Sequence, residues 1–524
     1  MELGMKRISK LEKESIAEFA NRLASECNKE STKSRKKGIG QFFTPPLTAD
    51  FMAGLSNTNK TSVSILDPGA GVGILSAAII EDLKSKDKVK NINLVCYETD
   101  KQVLPYLKLF LQEIKKDLSK EISFEYEIVE EDFVKSNSGS LTSNLNNYDG
   151  ESKTLFDVVI SNPPYFKLNK RDLPLRKFKD IISGQPNIYF LFMAISAKLL
   201  SPEGEMIFIT PRSFCSGLYY NKFRKWLIGK VNIENIHLFD SRKELFSEQK
   251  VLQENIITKF TKNPVDNIKI SKTYNGDFSN LETIKVSKND VVYKSNGHIF
   301  FRIPSTREEL RVIRELDKLP YNFYRLGIKI STGKVVAFRN KKHLQSTITK
   351  DSIPLLWMHN IKNGRISWPA SYKNKPLAIR NTDESRWLLL EAGNYVAIKR
   401  FTAKEQKKRF VTACIFKDDF KRYGYFALDN MVNYVYREEN ELSKNQVKGI
   451  AKYLGLPIVD LYFRILNGHT QVNASEVYAL PFPSLEQLEL FGKDDIEVKE
   501  ILSTKAKEIQ RKTFDKKVMK PLYA

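Results

Sequence analysis

SVSILDPGAGVGILSAAIIEDLK, residues 62–84, reads as a strand, a glycine turn and a helix in immediate succession. The apolar run over 62–67 suits a buried strand, and the segment from Gly73 to about Lys84 carries a helical pattern. Between them lies Asp67-Pro68-Gly69-Ala70-Gly71-Val72-Gly73. Glycines at such a turn permit a sharp reversal and let the backbone approach a ligand closely. The spacing is G-x-G-x-G behind an acidic residue, which departs from the G-x-G-x-x-G dinucleotide signature. By itself the turn is also compatible with a structural role.

The same rhythm continues on the carboxyl side. NINLVCYE (91–98) is a second strand with a helix near 101–118, and FEYEIVEEDF (124–133) and LFDVVISNPPY (155–165) are the third and fourth strands. A helix follows over NIYFLFMAISAKLL (187–200), whose apolar run suits a packed core, then a strand GEMIFITP (204–211) and a helix around 218–228. Two late strands, IENIHLFD (233–240) and QENIITKFTK (253–262), predict an antiparallel hairpin on the sheet edge. The fold expected is α/β, with a seven-stranded, mostly parallel sheet covered by helices on both faces. From about Asn263 the pattern changes to short β-rich pieces and basic loops, so residues 1–262 and 263–524 are the expected domains, the second mixed, β-rich and ending in a charged helical tail beyond about Leu485. Ser136–Gly150 reads as a surface loop, and MELGMKRISKLEKESIAEFA at the start as a charged amphipathic helix.

A chain of 524 residues exceeds one ordinary core, which agrees with two domains. Lys and Arg outnumber Asp and Glu by 85 to 62, a formal charge of +23 that favours a polyanionic partner. A Lys-rich proteome with generally basic surfaces is the bland alternative. Cys27, Cys96, Cys215 and Cys414 lie far apart, giving neither a disulfide framework nor a metal knuckle, so no metal is expected. With no signal peptide and no run long enough to span a bilayer, the expectation is a cytoplasmic protein with no membrane partner, associated with the nucleoid when bound to DNA.

Carboxylates recur at the predicted strand ends. Glu98 closes the second strand, where an acidic side chain can bind both ribose hydroxyls of a nucleoside cofactor. Asp132-Phe133 closes the third, offering a carboxylate to an adenine amino group and an aromatic face to its ring. Each carboxylate could instead be a helix N-cap. After the fourth strand, Asn162-Pro163-Pro164-Tyr165 combines two prolines that lack N–H donors with carbonyl oxygens that no sheet ladder can consume. Such a turn accepts hydrogen bonds. The Asn162 oxygen and the Pro163 carbonyl can take the two hydrogens of an aromatic amine, freeing its lone pair for in-line attack on a methyl sulfonium, with Tyr165 stacked on the base.

These motifs, in this order, resemble the gamma class of amino-methyltransferases, the TaqI-like and Eco57I-like adenine DNA methyltransferases. QFFTPP (41–46) matches the motif before the first strand, DPGAGVG the glycine loop, YETD the ribose motif, EDF the adenine motif and NPPYF the catalytic loop. The resemblance implies a Rossmann-like methyltransferase domain using S-adenosyl-L-methionine and acting on double-stranded DNA, with a target-recognition domain behind it. It implies that Thr44 and Pro45 pack near the methionine moiety of the cofactor, with Pro-Pro also capping the next helix. It points to Phe246, in KELFSEQKVLQENIITKF, as the aromatic opposite Tyr165, and to PRSFCSGLYYNKFRKWL (211–227) as a lining of the DNA cleft. STGK (331–334), LLWMHNI (355–361) and NGHTQVNASEVYALPFPS (467–484) resemble the specificity region more loosely.

An adenine in a duplex must be extruded to reach the Asn162 loop, at a cost of about a few kcal/mol. Lys334, Arg339, Lys341 and Lys342 form one basic loop, and Lys399, Arg400, Lys407, Lys408 and Arg409 a second basic run, as candidates for phosphate contacts. Gln471 and Asn473 are candidate readers of adenine edges, unless they only build a turn. No D…ExK nuclease cluster is evident, which leaves room for a separate cognate endonuclease. Two other readings stay open: a methyltransferase for RNA bases or a protein glutamine, since these present the same planar amine, and a non-catalytic DNA-binding subunit.

Overall fold

The computed structural model describes residues 8–30, 43–118, 121–141, 155–168, 178–184, 187–239, 254–274, 277–370, 372, 375–402, 406–468 and 470–502. The chain divides into two compact units, Met1–Val292 and Tyr293–Ala524.

In the first unit one sheet contains β1 (Ser62–Pro68), β2 (Asn91–Tyr97), β3 (Ser123–Val129), β4 (Phe156–Ser161), β5 (Leu200–Pro211), β6 (Asn232–Phe239), β7 (Asn255–Thr261), β8 (Asn267–Tyr274) and β9 (Asp277–Ser287). Their spatial order is β3-β2-β1-β4-β5-β7-β6-β8-β9. β1 to β5 pair in parallel, whereas β7 runs antiparallel to both β5 and β6. All seven expected strands are present, but the sheet has nine strands because β8 adds parallel to β6 and β9 antiparallel to β8. The β6/β7 hairpin therefore lies inside the sheet and not on its edge, and β7 is buried at every residue. The boundary expected at Asn263 moves to Val292 for the same reason. In β8, Ile268 and Ile270 are buried while Asn267 and Lys269 are exposed, a period-two pattern that looks alike whether the strand extends an old sheet or starts a new one.

Helices α1 (Ile16–Glu30), α2 (Pro46–Ala53), α3 (Ile74–Lys84) and α4 (Leu104–Leu118) share one core with Val63, Ile65, Val158 and Ile160 of the sheet. Burying side chains such as Leu107 and Phe110 stabilises this layer by roughly 1.5–3 kcal/mol each. Of the helix expected over the first twenty residues, 1–7 lie outside the described ones, and among the described residues α1 starts only at Ile16. The Glu18 N–H donates to Ser15 Oγ (3.1 Å) and the Ser15 N–H donates to the Glu18 carboxylate (2.8 Å), a reciprocal cap that fixes the first turn. On the remaining strand positions Leu66, Val159 and Phe208 are buried outside that core. After the short helix α5 (Phe133–Ser136) comes α6 (Ile188–Leu199), buried at every residue but Lys198, and then α7 (Asn221–Ile228). Among the described residues no helix is long and apolar enough to cross a membrane.

The second unit holds a six-stranded sheet (329–332, 361–362, 364–366, 395–399, 412–415, 432–436) and a five-stranded sheet (344–345, 352–356, 378–380, 389–391, 425–428). Each mixes parallel and antiparallel pairs, as a mixed β-rich domain requires. Helices Lys444–Leu454, Pro457–Leu466 and Leu485–Gly492 share a core with Ile330, Val396 and Val435. The expected helical tail is thus partly core, because Leu488 and Phe491 are buried in it, and residues 503–524 lie outside the described ones.

Candidate active site

The sheet order reverses between β1 and β4, so loops leaving the carboxyl ends of these neighbouring strands diverge and open a crevice. A cavity of about 220 Å³ lies there, bounded by the glycine loop, the end of β2, the start of α5 and the Asn162 turn.

Gly69 (φ 81°) and Gly71 (φ 59°) line the cavity in left-handed conformations, which side chains with a Cβ rarely adopt. The loop is pinned to β2: the Gly69 and Ala70 N–H groups donate to the Tyr97 carbonyl at 2.9 and 3.0 Å. Gly73 stands behind the wall and starts α3, packed so closely on Phe110 that a Cβ would fall 2.6 Å from the ring. Asp67 does not reach the cavity either. It is fully buried, and its Oδ2 accepts from Ser76 Oγ at 2.7 Å. Burial pushes its carboxyl up to about 7, with the Glu98 charge adding to the effect. Neither Asp67 nor Gly73, both expected at the cofactor, lines the cavity: the first is turned inward onto Ser76, and helix packing on Phe110 occupies the second.

Glu98 does face the cavity. Its Oε2 accepts from the Gly71 N–H (2.9 Å), and its Oε1 from the N–H groups of Thr99 (2.7 Å) and Asp100 (2.8 Å). A carboxylate has about four lone-pair positions, so these bonds leave room for a further strong donor. Desolvation outweighs the backbone donors and raises its pKa. Asp132 lines the same wall and also caps α5, its Oδ1 accepting from the Val134 and Lys135 N–H groups at 2.9 Å each. The helix cap is therefore present, and the carboxylate still borders the cavity. Phe133 is buried, edge-on to Tyr97 (5.0 Å between ring centroids).

On the opposite wall, Asn162, Pro163 and Pro164 line the cavity. The Asn162 amide donates through Nδ2 to Thr44 Oγ1 at 3.2 Å, which ties the turn to the Thr-Pro segment. Thr44 lines the cavity, whereas Pro45 stands back and caps α2, its carbonyl accepting from the Thr48 and Ala49 N–H groups. Tyr165 donates its hydroxyl toward Asn162 Oδ1 and the Ile209 carbonyl, and its ring meets Tyr189 edge-on. The ring that faces the cavity is the next one, Phe166, whose carbonyl accepts from the Ile188 N–H at 3.0 Å. Sequence reading passed over Phe166, although a second aromatic directly after Tyr165 was its signal. It also passed over Phe43 and Tyr97, although both stand inside the QFFTPP and YETD motifs, and over Phe192, which only the fold brings to this wall. Phe246 lies outside the described residues.

In the second unit the basic candidates differ in availability. Lys341 and Arg339 are exposed, Lys342 pairs with Glu384, and the Lys334 ammonium donates to the Leu389 carbonyl at 3.4 Å. Lys399 and Arg400 are half-buried, and Lys407 and Lys408 are exposed. Arg409 is fully buried beside Phe463, with its backbone N–H bonded to Asp460, and so is not a surface cation. Gln471 accepts from Arg400 at 3.4 Å, and Asn473 starts a short helix through Glu476, a turn-building role. Among the described residues no His, Cys, Asp and Glu cluster suits a metal.

Residues 79–246 match the family model described as Eco57I restriction-modification methylase. The chain is 32% identical over 500 residues to the type II methyltransferase M.PstI of Providencia stuartii, covering 95% of each chain. It is 33% identical to M.BsuBI of Bacillus subtilis, covering 88% of this chain and 91% of that one. In fold it is similar to the type IIL restriction-modification enzyme MmeI, solved in complex with DNA, at a TM-score of 0.50 and 12% identity over 96% of this chain and 75% of that one.

Proposed function

Because the chain belongs to the gamma-class type II restriction-modification methylases and is therefore a DNA methyltransferase, we propose that it methylates the N6 amine of an everted adenine with S-adenosylmethionine as donor. One observation carries the reading: Asn162 and Pro163 open onto the same cavity as the glycine loop, Glu98 and Phe133. An amine acceptor and a nucleoside-type cradle then share one space.

The cradle suits that cofactor. A Cβ on Gly71 would lie 3.2 Å from the Phe43 ring, so only glycine keeps this part of the wall open. Glu98 takes a ribose hydroxyl through its remaining acceptor position, and Phe133 flanks the adenine ring of the cofactor. When bound, S-adenosylmethionine supplies an electrophilic methyl on a sulfonium. The Asn162 Oδ1 and the Pro163 carbonyl accept the two hydrogens of the target amine and orient its lone pair, and charge developing on the nitrogen is stabilised by these fixed dipoles. Phe166 flanks the everted base, and Tyr165 positions the Asn162 side chain behind it. The second unit supplies phosphate contacts and base readout, with Lys341, Arg339, Lys407 and Lys408 among the exposed cations there.

The test is transfer of labelled methyl groups from the cofactor to duplex DNA, RNA or a glutamine-bearing protein, followed by nucleoside analysis of the DNA. Label in N6-methyladenine supports the reading. Label confined to cytosine, RNA or protein overturns it.

A further inference from the structure

Leu218 and Tyr219 are consecutive, large and exposed, at 50% and 63%. They form the tip of a one-turn helix, Leu218–Tyr220, in which no residue is buried. Apolar groups left in water on a loose loop would be unremarkable, but this tip is held from below and from the side. The guanidinium of Arg224, fully buried, donates through Nη1 to the carbonyls of Phe214 (2.7 Å) and Gly217 (2.8 Å). Burying a charge is costly unless it is hydrogen-bonded, so its effect is to fix the course of the loop. Gly184 (φ 71°) lies flat against the Tyr219 ring, where a Cβ would fall 2.4 Å from Cδ1.

The tip is coupled to the catalytic turn. Tyr220 stacks on Tyr189 at 5.9 Å, the Tyr189 hydroxyl meets Ser213 Oγ at 3.0 Å, and the Tyr189 ring stands edge-on to Tyr165 at 6.1 Å. Tyr165 in turn bonds Asn162. The surroundings suit a polyanion, since no Asp or Glu occurs between Glu205 and Glu234, and Lys222, Lys225 and Lys230 are exposed in that stretch.

We propose that Leu218 and Tyr219 form a rigid wedge that enters the base stack of duplex DNA beside the target and holds the everted state. The inference rests on the adenine-methylation reading and adds to it the element that offsets unstacking. Apolar side chains inserted at a base step replace the lost stacking surface, and a fixed tip does so without ordering a loop at the moment of binding.

The experiment uses the full chain, wild type and the double variant Leu218→Ala/Tyr219→Ala, which removes no core side chain. The modified sequence is first mapped on plasmid DNA with the wild type. Single-turnover methylation is then measured on duplexes whose target adenine is normally paired or lies opposite an abasic position, where extrusion costs less. The expected result is a loss of at least about tenfold on the paired duplex and recovery to within about twofold on the abasic one. Gly184→Ala, which displaces the ring, should show the same pattern more weakly. Equal loss on both duplexes, or none on either, overturns the wedge alone. A wild type that methylates no adenine overturns the wedge together with the reading beneath it.

Discussion

The Tyr165 hydroxyl lies 2.8 Å from Asn162 Oδ1 and 2.8 Å from the carbonyl oxygen of Ile209, so a single proton has two acceptors. When it turns to Ile209, it no longer competes for the Asn162 oxygen. Replacing Asn162 by Ala should lower single-turnover methylation by about 100- to 1000-fold, in line with loss of one preorganised polar group, while cofactor affinity changes little. Tyr165→Phe removes only the competing hydroxyl and should stay within about tenfold of wild type. Rapid-quench kinetics with calorimetric cofactor titration would check both, and a Tyr165→Phe enzyme as impaired as Asn162→Ala would contradict this division of roles.

Glu98 is held by three backbone donors and faces the cavity. Glu98→Gln keeps the shape but turns one acceptor oxygen into a donor facing backbone N–H groups. Cofactor affinity should fall by roughly 10- to 100-fold, the equivalent of one charge-assisted hydrogen bond. DNA affinity measured without cofactor should not move. Because the Glu98 pKa is raised by burial, cofactor affinity should also weaken as pH falls toward the acid range, and that slope should vanish in the Gln variant.

Gly73→Ala meets two obstacles at once, a φ of 94° and the Phe110 ring 2.6 Å from the new carbon. A loss of about 2–4 kcal/mol in folding stability is expected from strain plus overpacking. Gly69 has only Phe192 at 3.7 Å, so Gly69→Ala should destabilise less and should mainly impair cofactor binding. Urea denaturation of both variants separates these outcomes.

Two buried groups give stability opposite slopes with pH. Asp67 titrates near 7 in the fold against about 3.9 unfolded, so the unfolded chain ionises first and stability falls as pH rises from about 4 to about 7. His237 is buried, with Nδ1 2.8 Å from Ser271 Oγ and Nε2 3.2 Å from Thr273 Oγ1, and desolvation lowers its pKa to about 3. It stays neutral while the unfolded imidazole protonates, so stability falls as pH drops from about 6.5 to about 3. Relative to wild type, Asp67→Asn should gain between pH 4 and 7, and His237→Asn should gain as pH falls below 6.5. Melting temperatures across this range test the signs, and a flat difference for either variant would refute its assignment.

The order of strands β1 to β7, the glycine turn and the NPPY turn were all legible in the chain, because each is a local pattern: apolar periodicity, positive-φ glycines and donor-free prolines act over a few residues. Which carboxylate faces the ligand was not. Asp67 and Glu98 both end strands, yet the pleat buries one against Ser76 and turns the other into the cavity. The same holds for β8 and β9, whose alternation cannot say which sheet they join, and for Arg409, a member of a basic run that the fold takes inside. Sequence by itself determined the chemical groups available, carboxylates at strand ends beside a glycine turn and a donor-free prolyl turn. Tertiary structure alone decided which groups reach it, because orientation and burial depend on neighbours dozens of residues away, and those neighbours set how each side chain is solvated and paired.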